Sequence, residues 1–139
     1  EVVKTDPNNP ELFYNLGVRA MQVGETDRAK TYYARALELD PTYSYAQINM
    51  ASLILQGERA LVEEMNNLGT SAKDNRRYDE LKEVRKKMYR EALPYLEGAS
   101  QSVPDNIEVL RTLMNVYSQL GMTPEYKAAR AKVEELSGN

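Results

Sequence analysis

The residues best suited to catalysis are missing from this chain. Its 139 residues include no histidine and no cysteine. That removes the commonest general base, the commonest metal ligand and every thiol nucleophile. A serine triad, a zinc deaminase, a thiol protease and a disulfide framework are all excluded. Nearly all of the 21 acidic side chains read as helix caps or outward-facing positions. No glycine-rich phosphate loop, calcium-loop spacing or nucleophile elbow accompanies them. No enzyme activity, no cofactor and no metal is expected. Two groups of side chains could still bind something. Residues 73–90 carry eight basic against four acidic side chains, a local charge of +4 in a chain of net charge −3. On a helix, Lys82, Lys86 and Arg90 of that run share one face, opposite the apolar stripe Leu81, Met88 and Ala92. The second group is aromatic and apolar, around Tyr14 and Tyr45.

Helices must position both groups. Apolar residues recur at three- and four-residue spacings almost throughout, broken by short segments rich in Gly, Pro, Asn and Asp. No run of about 18 apolar residues suggests a membrane span, and nothing reads as a strand. An all-helical chain of this kind calls for a test of internal repetition. With Pro10 as position 1 of a 34-residue unit, Phe13, Leu16, Gly17, Ala29, Tyr33, Ala36 and Pro41 fall at positions 4, 7, 8, 20, 24, 27 and 32, and Ala20 stands at position 11. This segment resembles a tetratricopeptide repeat, which places large, Leu, Gly, Ala, aromatic, Ala and Pro residues at those seven positions. Small Gly17 and Ala29 suit a close helix crossing that Phe13, Leu16 and Tyr33 fill. Asn9 is the expected cap of the first helix, and Pro10 fits its first turn.

Residues 8–43 form the first expected unit. The second, 44–106, starts on register with Met50 and Ala51, but the pattern resumes only at Ala92, Leu96, Ala99 and Pro104. An insertion of about 29 residues (about 57–88) keeps helical spacing. It predicts a hairpin that lengthens both helices of one repeat, turning near Gly69-Thr70-Ser71 with Asp74 or Asn75 capping the return. Pro94 either kinks that return helix or divides it. Glu58, Glu63 and Glu64 on the outgoing arm are placed to meet some of the basic charges. The third unit, 107–139, is looser: Leu110, Leu113, Tyr117 and Gly121 keep the register, Asp105 with Glu108 suggests a capping box and Thr123 a second cap. Its last helix reads as a solenoid cap. Residues 1–7 read as the tail of a preceding repeat, so that the chain would belong to a longer repeat protein.

The resemblance implies an all-α, short right-handed solenoid that binds protein segments. In this family the first helix of each repeat lines a concave surface through positions 2, 5, 9 and 12. Here those are Glu11, Tyr14, Val18 and Met21, then Tyr45, Ile48, Ser52 and Leu55, then Glu108, Arg111, Asn115 and Ser118. Repeats that grip the acidic tails of heat-shock chaperones use a Lys, Asn, Asn, Lys, Arg clamp. Its places hold Tyr14, Val18, Asn49, Glu108 and Thr112 here; only Asn49 fits, so that specificity is not expected. The groove expected to hold a partner is Tyr14, Val18, Met21, Tyr45, Ile48, Asn49, Ser52, Arg111 and Asn115. The alternative site is the basic face Lys82, Lys86 and Arg90. A protein or peptide partner is expected and nucleic acid is not, because the whole chain is acidic and no aromatic residues interleave the basic face. Exposed repeat ends would allow homo-oligomers. The segment Ala92–Glu97 resembles stretched repeats of bacterial envelope-associated proteins, which implies a cell-envelope or periplasmic location.

Overall fold

A computed structural model describes residues 7–138. The segment read as the tail of an earlier repeat, Glu1–Asp6, lies outside the described residues. Helices α1 (Pro10–Gln22) and α2 (Thr26–Leu39) form a hairpin, followed by α3 (Ser44–Ile54). A single 3-10 turn, Leu55–Gly57, links α3 to α4 (Glu58–Asn66), and α5 (Ala72–Ser102) returns. A last hairpin pairs α6 (Ile107–Gln119) with α7 (Thr123–Leu136). Packing runs from neighbour to neighbour, α1 on α2, α2 on α3, α3 on α5, α5 on α6 and α6 on α7. The fold is an all-α solenoid with one stretched hairpin.

The helix crossings explain the small residues. Ala29, Ala36, Ala46, Ala92 and Ala99 are completely buried, where a methyl lets two backbones come close. Tyr33, Met50, Tyr89 and Val116 are the largest fully buried side chains. Phe13 and Leu16 are only half-buried. Leu12 occupies the buried position on α1 instead, and the Phe13 ring carries the Arg35 guanidinium 5.7 Å from its centroid.

Two turns have the same construction. After α1, Gly24 adopts φ 80° and the Glu25 amide reaches back to the Ala20 carbonyl at 2.8 Å. After α6, Gly121 adopts φ 73° and the Met122 amide bonds the Tyr117 carbonyl at 2.8 Å. Left-handed glycines end both helices. In the stretched hairpin the matching register holds Glu58, and the preceding Gly57 stays right-handed at φ −85°. The chain therefore continues helically past the point where the other two hairpins turn back.

The two arms of the stretched hairpin differ. The outgoing path is broken at Leu55–Gly57, whereas α5 is one helix of 31 residues, about 46 Å at 1.5 Å per residue. It runs unbroken through Pro94, which is exposed, so water can take the carbonyl that the proline cannot serve. Ser71 is the cap, its Oγ accepting the Asp74 amide at 3.0 Å. Asp74, expected to cap, instead accepts the Gly69 amide at 2.9 Å and closes the tip. Asn106, not Asp105, caps α6 by accepting the Val109 amide at 3.1 Å, and Met122 rather than Thr123 stands at the cap of α7.

Ion pairs fasten the arms. Arg77 Nε lies 2.7 Å from Glu64. Nearer the root, Arg85 donates to Glu58 from Nε at 3.1 Å and pairs with it through a second nitrogen at 3.0 Å. The Tyr89 hydroxyl donates to the same carboxylate, the Arg85 guanidinium lies 5.4 Å from the Tyr89 ring centroid, and Asn115 on α6 donates to the hydroxyl at 3.4 Å. Glu63, expected to face α5, pairs along its own helix with Arg59 at 4.0 Å.

A Cβ on Gly17 would stand 2.5 Å from the Tyr33 ring, and Tyr33 is too deeply buried to move aside. Gly17→Ala should therefore cost about 1–3 kcal/mol through overpacking. Gly57→Ala meets nothing nearer than 3.7 Å at an ordinary φ, and should be neutral or stabilise by up to about 1 kcal/mol. Urea denaturation of the two variants beside the wild type checks both signs.

Candidate functional site

One face of the solenoid is hollow between α1 and α3. Val18 and Met21, about one turn apart on α1, form one wall with Gln22. Asn49, Ser52 and Gln56 on and after α3 form the other, over a floor of Tyr33 and Leu53. The hollow measures about 440 Å³ and none of its lining side chains is charged. A second hollow of about 340 Å³ lies between α3 and α6, lined by Ile48, Ala51, Ser52, Leu55, Leu96, Asn106, Glu108, Val109 and Thr112. Ser52 lines both, so the two hollows meet across α3.

Tyrosines cluster about Tyr14, which touches the Tyr33 ring of the first hollow. The Tyr14 ring lies 6.0 Å from Tyr33, 5.6 Å from Tyr43 and 5.7 Å from Tyr45, centroid to centroid. Tyr43 and Tyr45 are 6.0 Å apart. Asn49 ties the group to the wall, its amide donating to the Tyr33 hydroxyl at 3.3 Å and to the Tyr14 hydroxyl at 3.5 Å. Burial raises the Tyr33 phenol above its ordinary value against the opposing pull of the Asn49 hydrogen bond. Burial also raises Tyr43, assisted by the negative charges of Glu11 and Asp40. Further along the solenoid, Tyr117 of α6 donates to Glu97 at 2.7 Å, and burial with that carboxylate raises its phenol further still.

The sequence-derived candidates divide accordingly. Val18, Met21, Asn49 and Ser52 meet in the first hollow, and Ile48 joins Ser52 in the second. Tyr14 and Tyr45 sit in the tyrosine cluster, Tyr45 as the most exposed of the group at 62%. Arg111 and Asn115 line neither hollow. Arg111 pairs with Glu108 at 3.5 Å and Asn115 turns to Tyr89, so these two do not extend the groove. Gln22, Tyr33, Tyr43 and Gln56 belong to the site without having been selected. Tyr43 precedes the first position of its repeat, and Tyr33 reads as core while still presenting a ring surface to the groove. On the stretched hairpin, Arg77 and Arg85 are taken up by Glu64 and Glu58. Lys82, Lys86 and Arg90 have no ion pair among the described residues. Among the described residues no group of three or more acidic side chains is placed to hold a metal ion, and no helix is long and apolar enough to cross a membrane.

The sequence pattern of the tetratricopeptide repeat matches residues 10–43, the segment that builds α1, α2 and the turn into α3. Among solved structures it is similar to YrrB, described as a TPR protein with an unusual peptide-binding site, at 20% identity and a TM-score of 0.39, over 97% of this chain and 72% of that one. Within the repeat, Gly17, Ala29, Tyr33 and Ala36 are all buried, as a tight two-helix crossing requires.

The raised phenols fix an alkaline limit. An unfolded tyrosine ionises near pH 10, whereas Tyr33, Tyr43 and Tyr117 hold their protons longer when folded. Their contribution to stability is complete below about pH 10 and is lost as pH rises above it. Urea denaturation between pH 8 and 11 should show stability falling at the alkaline end. Tyr117→Phe should make that fall shallower while leaving the other titrating groups in place.

Proposed function

We propose that this chain is a non-catalytic protein-interaction module that holds a segment of a partner protein in the groove between α1 and α3. Its carrying observation is the uncharged hollow of about 440 Å³, which shares Ser52 in its lining with a second hollow across α3. A charged chain that leaves the lining of this hollow uncharged, with amide groups from Gln22, Asn49 and Gln56 in its walls, offers an apolar side chain a place to bury and an extended backbone groups to bond. Ser52 is exposed and its side chain is small, so enlarging it blocks both hollows without disturbing the core.

The test is affinity capture from the source cell, followed by affinity measurement with the captured partner. Ser52→Arg should weaken binding tenfold or more, as a block at the centre of an interface does. The part of the binding made in this hollow should persist at high salt, because none of its lining side chains is charged. A partner held equally by Ser52→Arg defeats the groove reading.

A second reading has one observation in its favour, Lys82, Lys86 and Arg90 on α5, which have no ion pair among the described residues. Recognition there, of an acidic protein surface, would fall steeply with salt and be lost when the three are replaced by Glu. The groove reading expects that triple variant to bind as the wild type does.

A further inference from the structure

The tyrosine cluster has a chemistry of its own. Tyr14, Tyr43 and Tyr45 stand at the corners of a triangle with centroid separations of 5.6–6.0 Å. Tyr43 is nearly perpendicular to the other two, at 84° and 78°, so the rings enclose a corner instead of stacking flat. Aromatic faces carry negative potential and attract cations. Three arginines of this chain already use that attraction, over Phe13, Tyr89 and Tyr126. Among the described residues none lies over the triad. The nearby charges are negative: Glu11 and Asp40 both oppose ionisation of Tyr43. Asp40 is fixed by accepting the Thr42 amide at 3.0 Å and hydroxyl at 2.8 Å, and Glu11 has no ion pair among the described residues. Tyr45 is largely exposed, and Tyr14 and Tyr43 are partly exposed.

We propose that Tyr14, Tyr43 and Tyr45 bind a cationic side chain, lysine or arginine, of a partner protein, with Glu11 and Asp40 supplying the opposite charge. The ring faces and the two carboxylates together select a cation over an apolar side chain of the same size. Asn49 links this corner to the uncharged hollow through its bond to Tyr14. The assignment of the cation to a protein rests on the groove reading, and it makes the expected ligand a segment with a basic residue next to apolar ones.

The test needs no partner. The chain, with its tyrosine rings isotopically labelled, is titrated by NMR with tetramethylammonium, N-acetyl-lysine amide, N-acetyl-arginine amide and the neutral N-acetyl-norleucine amide. The cations should shift the Tyr14, Tyr43 and Tyr45 resonances saturably and bind about fivefold or more tighter than the norleucine compound. Tyr45→Phe should keep the binding, since it keeps the ring, while Tyr45→Leu and Glu11→Gln should each weaken it severalfold. Equal binding of norleucine, shifts confined to other tyrosines, or indifference to Tyr45→Leu would overturn the proposal. Preference for tetramethylammonium over both amino-acid cations would overturn the protein assignment. Ser52→Arg lies outside the triad, so the groove reading fails separately, on the captured partner, with these titrations unchanged.

Discussion

The contact between Gly17 and the Tyr33 ring is the constraint on which the rest of the site depends. A glycine on α1 lets an aromatic ring from α2 lie directly against the backbone, closer than any Cβ would allow. That contact fixes the approach of α1 to α2. It also fixes Tyr33, whose hydroxyl then takes the Asn49 hydrogen bond from α3 and whose ring meets Tyr14. One buried side chain thus sets the spacing of three helices. The groove is what remains between α1 and α3 once Tyr33 has been placed beneath them.

The stretched hairpin acts on the same site from behind. Helix α3 is held between α2 on one side and α5 on the other, and Leu96 of α5 lies at the floor of the second hollow. The length of α5 would make it a loose lever without anchorage at its root. The Glu58 carboxylate supplies the anchorage by meeting Arg85 and Tyr89 together, with Asn115 joining from α6. Arg85 and Glu58 are each less than a quarter exposed, so this pair is screened less than the surface pairs nearer the tip. An insertion of this size is compatible with the solenoid because it continues existing helices and preserves their buried faces.

Charge is distributed in a way that bears on recognition. The chain's ion pairs lie mainly along single helices or between the arms of the stretched hairpin, away from the α1–α3 groove. Tyrosine hydroxyls and amides take the place of charged groups around the groove. In the proposed reading such a surface discriminates by shape and hydrogen bonding, and ionic strength has little purchase on it. The exception is the tyrosine corner, where two carboxylates stand near aromatic faces.

The sequence by itself determined the repeat register of the first unit and the all-helical class. Those follow from local rules: period, caps, small residues at crossings, and the absence of histidine and cysteine. Val18, Met21 and Ser52 could be selected because the family resemblance assigns their repeat positions to the concave surface, and Asn49 because it stands at a place of the chaperone-tail clamp. The tertiary structure alone decided what depends on two elements meeting. It placed Tyr43 in the aromatic corner, turned Asn115 to Tyr89, and joined Glu58 to residues 27 and 31 positions away. It also decided that the outgoing arm breaks at Leu55–Gly57 while the return arm does not. Periodicity reports which face of a helix is apolar, and it carries no information about which side chain from another helix will reach that face. Specific hydrogen bonds and ring contacts are set by distances across the crossing, and those exist only once the helices have packed.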